Sequence, residues 1–188
     1  HCRMDIPYVP GYLAFREVDP LRQLIKRIKE KAPQFLPQIY FIDGNGLLHY
    51  RKCGCAVHFG VLEDVPIVGC AKAILAVDGL GRDTTDKLVV DGTKDPTLVP
   101  GTFTYKNTTL VPVRGPTSGY LFGFGALTGN STAKPIYVSP GHRLSHQLAA
   151  MLAVRFAPFR VVEPIRQADL RSRKYISDNF DALMKENQ

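Results

Sequence analysis

The pattern of this 188-residue chain predicts an α/β domain in which a partly parallel sheet is flanked by helices. Two observations carry that expectation. The first half reads helix, strand, helix, strand, with each strand a short apolar run bounded by turns. The middle is rich in Gly, Pro, Thr and Asp around several more short strand-like runs.

Leu21, Leu24, Ile25 and Ile28 fall at helical spacing, so a helix after Glu17 should bury one face. Lys26, Arg27, Lys29 and Lys31 make its other face basic, and Pro33 and Pro37 end it. Ile39 to Ile42 reads as a central strand running into the turn Asp43-Gly44-Asn45-Gly46. A short helix is expected over Ala56 to Leu62, then a buried strand over Pro66 to Cys70. Between Asp78 and Gly129 the runs Leu88-Val90, Thr102-Tyr105, Leu110-Val113 and Tyr120-Phe122 predict antiparallel strands joined by mobile loops. Pro135 to Ser139 adds another strand. A helix follows from about Ser145, with Leu148, Ala149, Leu152 and Phe156 on one face. The last helix runs from Ile165 to about Met184, with Pro164 in its first turn. No repeat or low-complexity stretch divides the chain, so one domain is expected over residues 1–188.

The composition narrows function only broadly. Hydrophobic residues make up 45% of the chain, ordinary for a domain with its own core. No apolar run approaches a membrane span. A net charge of +7 favours polyanionic partners such as nucleic acid, although many unrelated proteins are as basic. Cys2, Cys53, Cys55 and Cys70 lack zinc-site spacing and read as free thiols of a reducing compartment. The sequons at Asn107 and Asn130 are read as chance matches.

Asp43 closes a predicted strand on a glycine turn, where open α/β sheets gather ligands. Local spacing alone favours an ordinary Asp-Gly turn. Glu17 similarly fits a favourable acid near a helix start. Lys72 and His142 each follow a predicted strand, and each also reads as an ordinary surface residue. Tyr8, between Pro7 and Pro10, is a flat ring on a stiffened turn, suited to stacking on a base.

The ordered segments Pro7-Tyr8-Val9-Pro10, Leu13-Ala14-Phe15-Arg16-Glu17, Asp43-Gly44-Asn45-Gly46, Gly60-Val61-Leu62, Ala71-Lys72, Gly141-His142-Arg143 and Glu163-Pro164-Ile165-Arg166-Gln167-Ala168-Asp169 closely resemble the endonuclease V pattern. The resemblance runs from about Pro7 to about Arg173. It implies an RNase H-like mixed sheet. It also implies catalytic roles for Glu17, Asp43, Lys72 and His142, with Glu17 and Asp43 holding Mg²⁺, for which Mn²⁺ substitutes. Carboxylates suit that cation, and the cation can activate water and stabilise the leaving 3′ oxygen. Tyr8 resembles the family's wedge, which fills the gap left when the base turns out. Pro10, Gly11, Leu13, Gly44, His49 and Leu75 fall where the family contacts nucleic acid. Arg166 falls in a C-terminal motif, with a structural or a phosphate-contacting role.

By resemblance the substrate is inosine-containing single-stranded RNA, cut at the second phosphodiester 3′ of inosine, with deaminated DNA possible. The Asp-Gly-Asn-Gly and Arg-Gln-Ala-Asp variants are closer to animal members, which implies RNA and a cytoplasmic, nuclear or nucleolar setting. One departure stands out. Nothing before Pro7 matches the family's early Val-Asp-Val-type strand, whose aspartate is the third catalytic carboxylate, and Asp5 lies on the wrong side of the motif. The N-terminal strands are therefore expected to be missing. A catalytically impaired inosine- or nucleic-acid-binding fragment is the alternative reading. Self-association, or a separate N-terminal segment, would complete the sheet.

Overall fold

The computed structural model describes residues 6–180. Its elements in chain order are α1 (Leu13–Lys31), β1 (Tyr40–Asp43), α2 (Cys55–Glu63), β2 (Ile67–Ala71), α3 (Arg82–Lys94), β3 (Phe103–Tyr105), β4 (Thr108–Arg114), β5 (Leu121–Ala126), β6 (Ile136–His142), α4 (His146–Arg155) and α5 (Glu163–Asp178). The six strands form one mixed sheet in the order β1-β2-β6-β5-β4-β3. β1 and β2 are parallel, and every other pairing is antiparallel. The α/β architecture and partly parallel sheet are those that the element order predicted.

β2 shows why both faces are covered. All five of its residues are buried, as a central strand between two helix layers requires. On one face Val68 and Cys70 pack with Val138, Ala149, Ala153 and Ile165, under α4 and α5. On the other, Ile67 meets Ala56 and Phe59 of α2, while Ala71 joins the cluster containing Val89 of α3. The alternation of side chains along a strand produces this division.

α1 begins one turn earlier than expected, so Pro20 lies inside it. Proline lacks the N–H that would bond the carbonyl four residues back, so the Arg16 carbonyl loses that partner. Ala14, Val18 and Ile25 are the residues α1 buries, against α2 and β1. Leu24, expected on the buried face, is 54% exposed.

The strand expected at Leu88-Val89-Val90 is a correction: these residues lie within α3. Thr85, Val89 and Gly92 recur at helical spacing as its buried face. Val89 packs into the cluster containing Val111 and Val113. Packing of that stripe on the sheet outweighs the local β preference of three apolar residues. α4 starts at the expected place, with the Ser145 hydroxyl accepting a bond of 3.2 Å from the Leu148 amide. The continuation of the last helix to Met184, and Cys2 and Asp5, lie outside the described residues.

The outer edge of β1 pairs with no strand among the described residues. Along that edge runs a largely apolar cleft of about 630 Å³ between α1 and α5. Leu21, Leu24 and Ile28 of α1, Tyr40 to Asp43 of β1, and Ile165 and Ala168 of α5 line it. This is where the uncovered half of the α1 stripe faces.

Candidate active site

The turn after β1 is held by backbone contacts to two other strands. The Gly44 amide donates to the Cys70 carbonyl of β2 at 3.0 Å. The Gly46 amide donates to Ser139 Oγ at 2.9 Å and the Leu47 amide to the Pro140 carbonyl at 3.0 Å, both on β6. The turn therefore crosses over β2 and rests on β6. That crossing aims Asp43 out of the end of the sheet, level with Cys70 in register.

Glu17 reaches the same place from α1. It and Asp43 both line a pocket of about 160 Å³. They also both line the cleft along the β1 edge, so the two carboxylates stand where the two cavities meet. Burial and the nearby Asp43 charge push the Glu17 carboxyl above its usual range, with a hydrogen bond to the Cys55 side chain opposing them. Burial, with the Glu17 charge and bond behind it, pushes the Cys55 thiol up to about 12. Lys72, just past β2, donates to Asp43 Oδ2 at 3.1 Å. Lys72 thus offsets the charge of Asp43, while Glu17 beside it has no cationic side-chain partner among the described residues, an arrangement that favours a further cation.

The residues fit a hard divalent cation as a partial set. Among the described residues no group of three His, Cys, Asp or Glu side chains is gathered closely enough to hold a metal. Mg²⁺ commonly takes one or two carboxylates and fills the remaining positions with water and substrate phosphate. Glu17 and Asp43 supply that number.

Tyr8, Pro10, Gly11, Leu13, Gly44, His49 and Leu75, the seven positions expected to contact nucleic acid, all line the smaller pocket. Tyr8 stands at 65% exposure. His49 is buried, with Nε2 3.2 Å from the Gly11 carbonyl and Nδ1 accepting from the Arg51 amide at 3.2 Å. Only a neutral ring protonated at Nε2 makes both bonds. Burial, followed by the Arg51 charge, lowers its pKa, with the bond to Gly11 acting the other way.

His142 is a correction in placement. It pairs in register with Ile67, at the start of β2, whereas Asp43 is level with Cys70. Antiparallel β6 therefore carries it about 10 Å away along the strand. There Nε2 lies 3.0 Å from Asp64 Oδ1, beyond the far end of α2, and Arg143 reaches the same carboxylate. The structure does not bring His142 to the carboxylates. Arg166 makes two bonds to Glu163, at 2.6 and 2.8 Å, and pins the first turn of α5. The Glu163 carboxyl is held down to about 2 by Arg166 and then by Gln167.

The residue-level reading assigned Asp169 no site. The structure places it on α5, lining the same cleft as Glu17 and Asp43, with Oδ1 accepting from Arg173 at 2.9 Å. Its place at the end of the Glu163–Asp169 segment was the available signal.

The comparisons with known proteins converge. The family model for endonuclease V matches residues 1–170. Mouse endonuclease V is 44% identical over 182 residues, covering 96% of this chain and 50% of the mouse protein. Human endonuclease V is 39% identical over 179 residues, covering 92% of this chain and 57% of the human one. The chain thus spans about half the length of these curated relatives. The crystal structure of the human catalytic domain superposes with a TM-score of 0.80 at 38% identity, covering 95% of this chain and 68% of that one. Endonuclease V from Ciona intestinalis, bound to a 24mer DNA containing an inosine followed by a ribo-adenosine, also gives 0.80, at 31% identity, covering 94% and 70%. The mixed sheet with its helices is the RNase H-like arrangement of these neighbours. With the family model matched over residues 1–170 and relatives at 39–44% identity over nearly the whole chain, on a sheet that brings Glu17 of α1 to Asp43 after β1, the chain belongs to the endonuclease V family.

Proposed function

We propose that this chain forms the base pocket and part of the metal site of a Mg²⁺-dependent endoribonuclease for inosine in single-stranded RNA. Mn²⁺ substitutes, deaminated DNA is a second substrate, and the cut falls at the second phosphodiester 3′ of inosine. The observation that carries this reading is the position of Glu17 and Asp43, shared between the pocket holding Tyr8 and the cleft along β1. The Ciona relative, bound to an inosine followed by a ribose-bearing residue, supports both a deaminated base and a ribonucleotide step.

In this reading Glu17 and Asp43 would hold the cation, whose chemistry there would be to activate water and stabilise a leaving oxygen. Lys72 moves from Asp43 to the scissile phosphate and offsets charge developing there. Tyr8 stacks in the space vacated by the base, whose removal costs least from an unpaired strand. Gly11, Leu13, Gly44 and Leu75 shape the pocket.

The open β1 edge and its apolar cleft support a partner strand, from this polypeptide or from another molecule, that adds the remaining ligand. The two-carboxylate site also favours a second reading, inosine binding without turnover. Free Cys53, Cys55 and Cys70 suit a reducing setting, cytoplasmic or nuclear, the nucleolus included.

Matched single-inosine RNA and DNA are incubated with the chain in Mg²⁺ or Mn²⁺, and binding is followed in Ca²⁺. Product at the second 3′ phosphodiester of RNA supports the leading reading. Tight binding without product supports the second, and neither binding nor product rejects both.

A further inference from the structure

Among the described residues, the hydrogen bonds from the rest of the protein to the Tyr8 turn converge on the Gly11 carbonyl. The Tyr12 amide bonds the Val9 carbonyl at 2.9 Å, closing a turn over Pro10 and Gly11. The Gly11 carbonyl at its apex accepts from two groups of one loop, His49 Nε2 and Arg51 Nη2. Arg51 lies 40 residues away in sequence, past β1.

Arg51 also lies against two aromatic rings. Its guanidinium sits 3.9 Å from the Tyr12 ring centroid and 4.4 Å from that of Tyr50. Nη1 donates to the Tyr50 hydroxyl at 2.6 Å. Tyr50 in turn stacks on His49, with centroids 4.3 Å apart and planes 25° apart. Tyr50 closes over Gly11, whose φ is +78°, and a Cβ there would lie 2.3 Å from the Tyr50 hydroxyl. The turn and the loop are thus fitted to each other, with a planar cation close to one ring of each.

Resting on the function proposed above, we infer that Arg51 is a positioning residue that sets the wedge: it holds the Gly11 carbonyl and so fixes where Tyr8 enters the strand. Tyr8 makes no side-chain hydrogen bond among the described residues, so its aim depends on its backbone. Arg51 is itself exposed. Its charge is committed to ordering one turn, which lowers the entropy lost when the ring stacks on a base. Lysine cannot replace it, because the position requires two donors in a plane together with stacking.

The test uses the whole chain with Arg51→Ala and Arg51→Lys. Hydrogen exchange of the Val9 to Leu13 amides is compared with that of β4 and β5. In parallel, binding in Ca²⁺ is measured with a single-inosine RNA bearing 2-aminopurine beside the inosine. Both variants should exchange about tenfold faster in the turn, the change expected for loss of a charge-assisted hydrogen bond, with β4 and β5 unchanged. Both should show a smaller fluorescence rise at saturating RNA. Unchanged exchange in Arg51→Ala, or wild-type behaviour of Arg51→Lys in both arms, overturns the inference. Failure of the wild-type chain to bind removes the proposed function, and the exchange arm then decides the clamp alone.

Discussion

Adding a single methyl group at Gly46 should cost far more than adding one two residues earlier. A Cβ at Gly46 would lie 2.2 Å from the Pro140 oxygen, 2.7 Å from its carbonyl carbon and 3.1 Å from the Ser139 oxygen. All three are backbone atoms of β6 and cannot swing aside. The turn must lift, which breaks Gly46 N–H to Ser139 Oγ and Leu47 N–H to the Pro140 carbonyl. Steric strain of about 1–3 kcal/mol adds to about 1 kcal/mol per lost bond. Reduced freedom of the unfolded chain returns about 0.5 kcal/mol. The net loss is about 3 kcal/mol, a Tm fall of roughly 6–12 °C for a chain of this size. At Gly44 the nearest atoms to a Cβ are 3.7 and 3.8 Å away, which is ordinary contact. Gly44→Ala should therefore melt within about 2 °C of wild type while narrowing the base pocket and weakening inosine-RNA binding. Thermal melts by circular dichroism, with fluorescence anisotropy for binding, read both effects. Equal Tm shifts for the two variants, or a shift under about 2 °C for Gly46→Ala, would refute the account of the turn.

Glu17→Gln keeps an acceptor for Cys55 and removes a charge that burial and Asp43 both disfavour. Without metal it should raise stability by a few tenths to about 1 kcal/mol, since partial exposure screens the repulsion, while abolishing the metal-dependent cleavage proposed above. A lower Tm than wild type would contradict that. His49 and His146 have pKa values lowered first by burial, so the unfolded chain binds protons that the folded chain does not. Stability is complete above the ordinary histidine value of about 6.5 and is lost as pH falls through the lower folded values; a Tm that stays flat from about pH 7.5 to 5.5 would exclude this. Leu24→Glu, on the uncovered side of α1, should change the stability of the isolated chain by less than about 0.5 kcal/mol, yet weaken any strand partner in the cleft. A large loss of stability in dilute solution would mean that the cleft is already filled.

Local sequence determined the elements whose cues are short-range. Helical spacing marked α1, the apolar runs marked β1 and β2, and Ser145 marked the start of α4. The pocket positions came from the family resemblance rather than from local cues; the structure lines one pocket with residues of both the Pro7–Gly11 and Asp43–Gly46 turns. What depended on strand direction was not legible. A Gly-His turn after a strand reads alike whether that strand is parallel or antiparallel, and the antiparallel course of β6 carries His142 to the far end of the sheet. Tertiary packing also made a helix of Leu88 to Val90, brought Asp169 to the cleft and set Arg51 between Tyr12 and Tyr50. Each of these depends on partners tens of residues away, whose approach local propensity and spacing do not encode.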